Sequence, residues 1–164
     1  MRFVVSLFLC VAAFAAGCAS PMGAWDIALG TPRADVVARA GQPTRLVALP
    51  NGLQRLQYSM QPLGHHVFMV DVDAAGRVVR SRQVMTPEEF QRIEPGKWLR
   101  ADVEREFGPP AQVDAVTSFR GTVMTYRWKQ GNDPMFYWVY VDPAGVVQRA
   151  HPGMEFVNAP NDRS

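Results

Sequence analysis

The chain is short of the groups that carry covalent and metal chemistry. Of its 164 residues only Cys10 and Cys18 are cysteines. If the segment ahead of Cys18 is a removable leader and Cys18 its junction, the mature domain has no disulfide, no cysteine ligand and no thiol nucleophile, and must be held by packing alone. Charge of one sign is also scarce: seventeen Lys and Arg face fifteen Asp and Glu, and without Arg2 the balance is sixteen to fifteen, close to +1. That excludes a strong nucleic-acid or polybasic lipid role. The longest apolar block, Phe3 to Ala16, is shorter than the roughly 20 residues an ordinary membrane-spanning helix needs. No Gly-x-Ser-x-Gly, His-Glu-x-x-His, phosphate-loop or dinucleotide fingerprint occurs, so no catalytic residue, cofactor or small-molecule substrate is expected. Nor is a metal: His65 and His66 are neighbours on a strand and point to opposite faces, and His151 has no defined companion, whereas a metal site needs three or four convergent ligands.

What is present begins with the leader. Met1-Arg2, the apolar block and a small-residue ending, with no acid before Asp26, form an export signal. Ala15-Ala16-Gly17 ahead of Cys18 resemble a bacterial lipobox, which implies a leader at 1–17, a lipidated Cys18 and a tether at 18–24. The alternative is ordinary secretory cleavage near Ala19. Several acyl chains on one cysteine anchor stably, at about 0.8 kcal/mol per buried methylene. Ala19, rather than Asp, after the cysteine implies the periplasmic face of the outer membrane.

The remaining chain repeats itself. Arg33-Ala34-Asp35-Val36 followed by Gly41-Gln42-Pro43 returns as Arg100-Ala101-Asp102-Val103 followed by Gly108-Pro109-Pro110. Each copy reads as a short helix closed by a C′ glycine. Thr31-Pro32 is expected to cap the first helix, and Thr86-Pro87-Glu88-Glu89 to open the second half with a stronger version of the same cap, Glu89 reaching back as in a capping box. Strands alternate afterwards. Leu56, Tyr58 and Met60 point one way and Gln57 and Ser59 the other, giving a one-sided sheet; Met124, Tyr126 and Trp128 repeat the pattern. Phe119-Arg120-Gly121 is expected to turn, and Asp73-Ala74-Ala75-Gly76 and Asp142-Pro143-Ala144-Gly145 mark matching hairpins. The expected fold is α+β: two tandem modules, 25–85 and 86–152, each a short helix or helix-loop-helix packed on a three- to four-stranded antiparallel meander, with sheets adjacent or joined edge to edge and a loose tail at 153–164.

The lipobox, the Asp-Val helix ending in Gly-x-Pro, the Tyr-bearing strand and the Asp-x-x-Gly hairpin together resemble the SmpA/OmlA (BamE-like) family of outer-membrane lipoproteins. The tandem arrangement also resembles the β-lactamase inhibitor protein fold. The first resemblance implies a protein-binding module supporting envelope or β-barrel assembly, with an envelope protein as partner and the membrane reached through Cys18. The second implies an inhibitor of a secreted enzyme. Registering the two Asp hairpins places Tyr137, Val139 and Val141 in the core. Phe136, Trp138 and Tyr140 then fall on the opposite face as candidate partner-binding residues. The alternative is that this face folds onto the other module or the tail.

Overall fold

The structure, a computed structural model, describes residues 20–155. Cys18 and the expected leader at 1–17 lie outside the described residues, as do 156–164. Among the described residues two separate four-stranded antiparallel sheets are formed, with no hydrogen-bonded edge between them. The first contains β1 (Arg45–Ala48), β2 (Gln54–Ser59), β3 (Val67–Val72) and β4 (Val78–Gln83), and the second β5 (Gln112–Val116), β6 (Phe119–Gln130), β7 (Asp133–Val141) and β8 (Val147–Met154), each in sequential order. Three short α-helices accompany them among the described residues: α1 (Arg33–Ala40), α2 (Pro87–Phe90) and α3 (Arg100–Phe107). The chain is therefore mostly β with some helix, in two similar halves.

The duplication holds at the level of individual hydrogen bonds. Gly41 and Gly108 close α1 and α3 at φ 81° and 77°, a region glycine enters without steric cost. The Arg33 N–H donates to the Gly76 carbonyl at 2.8 Å and the Arg100 N–H to Gly145 at 2.8 Å, tying each helix start to the hairpin of its own sheet. In those hairpins Asp73 Oδ1 accepts from Ala75 and Arg77 N–H, and Asp142 Oδ1 from Ala144 and Val146 N–H, all at 2.9 Å. Each half also has a tyrosine latch. The Tyr58 hydroxyl donates to the Gly41 carbonyl at 3.2 Å and the Tyr126 hydroxyl to Gly108 at 2.9 Å, so a strand side chain satisfies the carbonyl of the residue that ends the helix. Because the Tyr126 bond is shorter and its hydroxyl buried, Tyr126→Phe is expected to cost about 1–2 kcal/mol, and Tyr58→Phe less, as read by urea unfolding of the two variants.

Several expected boundaries move. Thr31 does not cap α1; its hydroxyl donates to Ala28, and Pro32 forms an isolated bridge with Arg77. The equivalent bridge in the second half joins Leu99 to Val146, so Thr31-Pro32 corresponds to Trp98-Leu99, and Thr86-Pro87 opens α2, which has no α-helical partner in the first half. Thr86 does cap, accepting from Glu89 N–H at 3.3 Å, but the Glu89 carboxylate turns to Arg82 and Arg92 instead of closing a box. It is Asp102 that reaches back, accepting from Leu99 N–H at 2.8 Å. Phe119 to Gly121 lie in β6, the turn falling at Thr117-Ser118. Pro21–Ala24, expected as tether, form a 3-10 turn with Ala24 buried. Gly153 and Met154, assigned to a loose tail, belong to β8, because β7 is long enough to pair with them.

The one-sided reading of the first sheet is overturned. Every residue of β3 is buried. One face, with Leu56, Tyr58, Phe68 and Val70, shares a core cluster with Val36 and Ala40. The other face contributes Val67 and Met69 to a second cluster that holds Phe90, Val103, Phe107, Tyr126, Tyr137 and Val139 of the second half. Polar residues on that face are buried too. Gln57 donates to the Glu104 and Arg105 carbonyls at 3.0 Å each, at the end of α3, where carbonyls run out of intrahelical donors; that of Glu104 also accepts from the Gly108 N–H. Asp71 pairs bidentately with Arg55 at 2.6 and 2.9 Å. Arg55 also reaches Glu106 at 3.0 Å, and Glu106 takes Arg82 and Arg92 at 3.2 and 3.1 Å. Burial acts to raise the Glu106 carboxyl, but the Arg55, Arg92 and Arg82 guanidiniums overcome it and hold the group at about 2.

A second junction lies at the far end of the sheets. The Gln61 side-chain amide donates to the Arg127 carbonyl at 2.7 Å and accepts from its N–H at 3.1 Å, continuing the β6 edge as a strand residue would. The Arg127 side chain bonds the Pro62 and Leu63 carbonyls and Glu155, and Glu155 also meets His65.

Candidate functional site

Strand alternation decides which residues of β7 are displayed. Tyr137, Val139 and Val141 are buried in the second cluster, as the hairpin register predicts, and Phe136, Trp138 and Tyr140 alternate with them on the opposite face. All three are half-buried rather than freely exposed. The reason is that they pack along the sheet, side by side and with residues of the flanking strands. Phe136 and Trp138 ring centroids are 5.8 Å apart, Trp138 lies 5.4 Å from His151, and Tyr140 stacks on the same imidazole at 5.4 Å. Phe119 meets Tyr140 edge-on at 5.3 Å, and the Arg149 guanidinium sits 3.9 Å above the Tyr140 ring, a cation–π distance.

Gly153, the Cα partner of Phe136 on β8, completes the surface. A Cβ there would collide with Cζ3 and Cη2 of Trp138, so the absence of a side chain lets the indole lie over the strand. The face is thus a continuous run of rings from Phe119 to Phe136, flanked by Arg149. Sequence reading named the three β7 rings and missed Phe119, Arg149, His151 and Gly153. The available signal was the period-two alternation of β8, which puts Arg149, His151 and Gly153 on one side.

The equivalent face of the first sheet, at Val67, Met69 and Asp71, is covered by the second half. The other concavity of note is an open groove of about 710 Å³ between the Pro50–Gly52 turn and α3. At its floor Arg55, Asp71 and Glu106 are already paired with one another. His65 lies against Glu155, and His66 stacks on Phe68. Among the described residues no helix is long and apolar enough to cross a membrane.

No protein-family model and no curated protein matches this chain. Among solved structures, it is similar to a DUF4309 family protein (YjgB) from Bacillus subtilis, at 16% identity over 76% of this chain and 79% of that one, with a TM-score of 0.30. It is also similar to an extracellular protein containing a SCP domain from Bacillus anthracis, at 13% identity over 77% of this chain and 44% of that one, with a TM-score of 0.30.

Proposed function

We propose that the chain is a lipid-anchored periplasmic protein-binding module at the outer membrane, serving envelope or β-barrel protein assembly. In this reading each half is a helix-on-sheet unit of the SmpA/OmlA type. Cys18 localises the domain, and the outer face of the second sheet docks a partner through Phe136, Trp138 and Tyr140. The observation that carries it is the unequal fate of two equivalent faces: that of the first sheet is filled by its neighbour's helices, and that of the second carries rings already ordered against one another. Aromatic side chains supply large contact area with few rotors to freeze on binding, which is why they dominate binding hot spots.

Recovery of envelope proteins on the wild-type chain and on Trp138→Ala, from detergent-solubilised envelope, tests the reading. Truncating a central aromatic anchor typically costs 2 kcal/mol or more, a roughly 30-fold loss of affinity, so the partner is expected to disappear from the variant. Gly153→Ala, which displaces the indole without removing it, is expected to weaken recovery in the same direction. Unchanged recovery on both variants would remove this face from the account. A tight complex with a soluble secreted enzyme, and none with an envelope protein, would favour the inhibitor reading.

A further inference from the structure

The start of the described chain carries an apolar patch that the docking face does not use. Among the described residues nine large apolar side chains are exposed, and three of them, Met22 at 41%, Trp25 at 50% and Leu29 at 71%, fall within residues 20–29. The stretch that carries them is built into the fold. Ser20 caps the 3-10 turn by accepting from Met22 N–H. Ala24 and Ile27 are 1% and 5% exposed in the first core cluster. Gly23 lies so close to the Arg39 carbonyl that a Cβ would collide, and Arg39 Nη2 donates to the Trp25 carbonyl at 3.4 Å. The Trp25 ring is edge-on to Phe68 and His66 at 5.5 and 6.1 Å, half its surface left open.

Covalent geometry sets how far this patch stands from Cys18. The two residue steps to Ser20 reach at most about 7 Å when fully extended, so a bilayer holding acyl chains on Cys18 would lie close to the start of the described fold. We infer that Met22 and Trp25 form the membrane-contacting surface of the domain, seated in the interfacial zone of a phospholipid bilayer; this rests on the reading of Cys18 as lipidated. Met22 and Trp25 follow Ser20 within one 3-10 turn and its cap, which brings a methionine and an indole toward headgroup depth, where tryptophan is favoured. Asp26 is the one acid between Ser20 and Arg33, so little charge has to be desolvated. The placement orients the whole molecule. The patch and α1 share the core cluster on one face of the first sheet, the other face of that sheet meets α3, and α3 shares its cluster with the second sheet. Successive layers pack about 10 Å apart. The aromatic face therefore stands about 30 Å from the bilayer and points away from it.

The lipidated chain in phosphatidylcholine vesicles, with and without brominated acyl chains, tests this. Trp25→Phe keeps a ring against Phe68 and removes the indole that would be quenched. The wild type is expected to lose fluorescence to the brominated lipid, Trp25→Phe to lose most of that quenching, and Trp138→Phe to keep it. Radiolabelled palmitate incorporation, with Cys18→Ser as control, reads the anchor separately. Labelled protein whose quenching is absent, or is unchanged in Trp25→Phe, overturns the membrane-facing patch and leaves the anchor standing, whether another protein or a second copy covers it instead. Quenching carried by Trp138 overturns the orientation, and no palmitate incorporation overturns both the anchor and the patch.

Discussion

Glu106→Ala is expected to destabilise the folded chain by about 3–5 kcal/mol, the cost of removing one partner from a buried ionic cluster. Glu106 is 8% exposed and Arg55 3%, and the Glu106 carboxylate accepts from Arg55, Arg82 and Arg92. Its removal leaves Asp71 as the remaining counter-ion for Arg55 and Glu89 as that for Arg82. Urea unfolding at neutral pH measures the loss, and a change under about 1 kcal/mol would show that the cluster behaves as a solvated surface network instead. The same carboxylate sets a pH dependence. Its folded value of about 2 lies below the ordinary 4.5, so the unfolded chain binds its proton more readily. The stabilisation is therefore complete above about pH 4.5 and lost as the pH falls toward 2. By linkage that difference amounts to about 3 kcal/mol. Glu106→Gln is expected to flatten this part of the acid-unfolding profile.

Phe90→Ala is the second large effect, at about 3–5 kcal/mol for a buried phenylalanine. Phe90 stacks on Tyr137 with centroids 3.9 Å apart and lies 5.4 Å from Phe107 and 5.6 Å from Trp128. It is 2% exposed, so its loss opens a cavity bounded by rings that cannot collapse without leaving their rotamers. Because Val67 and Met69 of the first sheet belong to the same cluster, unfolding of both halves is expected to shift together. Thermal unfolding followed separately by tryptophan fluorescence and far-ultraviolet circular dichroism checks this. Two transitions, with one unmoved by the substitution, would contradict a shared core.

Much of the local structure was legible because it is written in short-range chemistry. The Asp73 and Asp142 hairpins, the Gly41 and Gly108 helix ends and the Thr86 cap each depend on a few neighbouring residues, and those residues occur in the right order. Strand alternation likewise separated Tyr137, Val139 and Val141 from Phe136, Trp138 and Tyr140. Thr31-Pro32 was misread for the same reason. Its local chemistry is that of a cap, but the bridge from Pro32 to Arg77 reaches across 45 positions in sequence and prevails.

Alternation divides a strand into two faces without saying what covers either one. Arg55, Gln57 and Asp71 look like a solvated face and are buried, because α3 brings its C-terminal carbonyls and Glu106 against them. The near-continuous apolar run Val67-Phe68-Met69-Val70 was the available sign that β3 is buried on both sides. Equivalent positions in a duplicated chain also need not share a fate. Counting from the signature arginines, Arg39 matches Glu106, but Arg39 is exposed and its carboxylate counterpart is buried, because α3 meets a second sheet and α1 does not.

The sequence by itself determined the duplication, the two Asp hairpins, the glycine helix ends and the two-fold division of each strand, since all of these follow from interactions among residues a few positions apart. Only the tertiary structure decided that one sheet face would be filled by an ionic cluster and its equivalent left as a surface of packed rings. That choice depends on which module follows which in space, and local propensity carries no record of it.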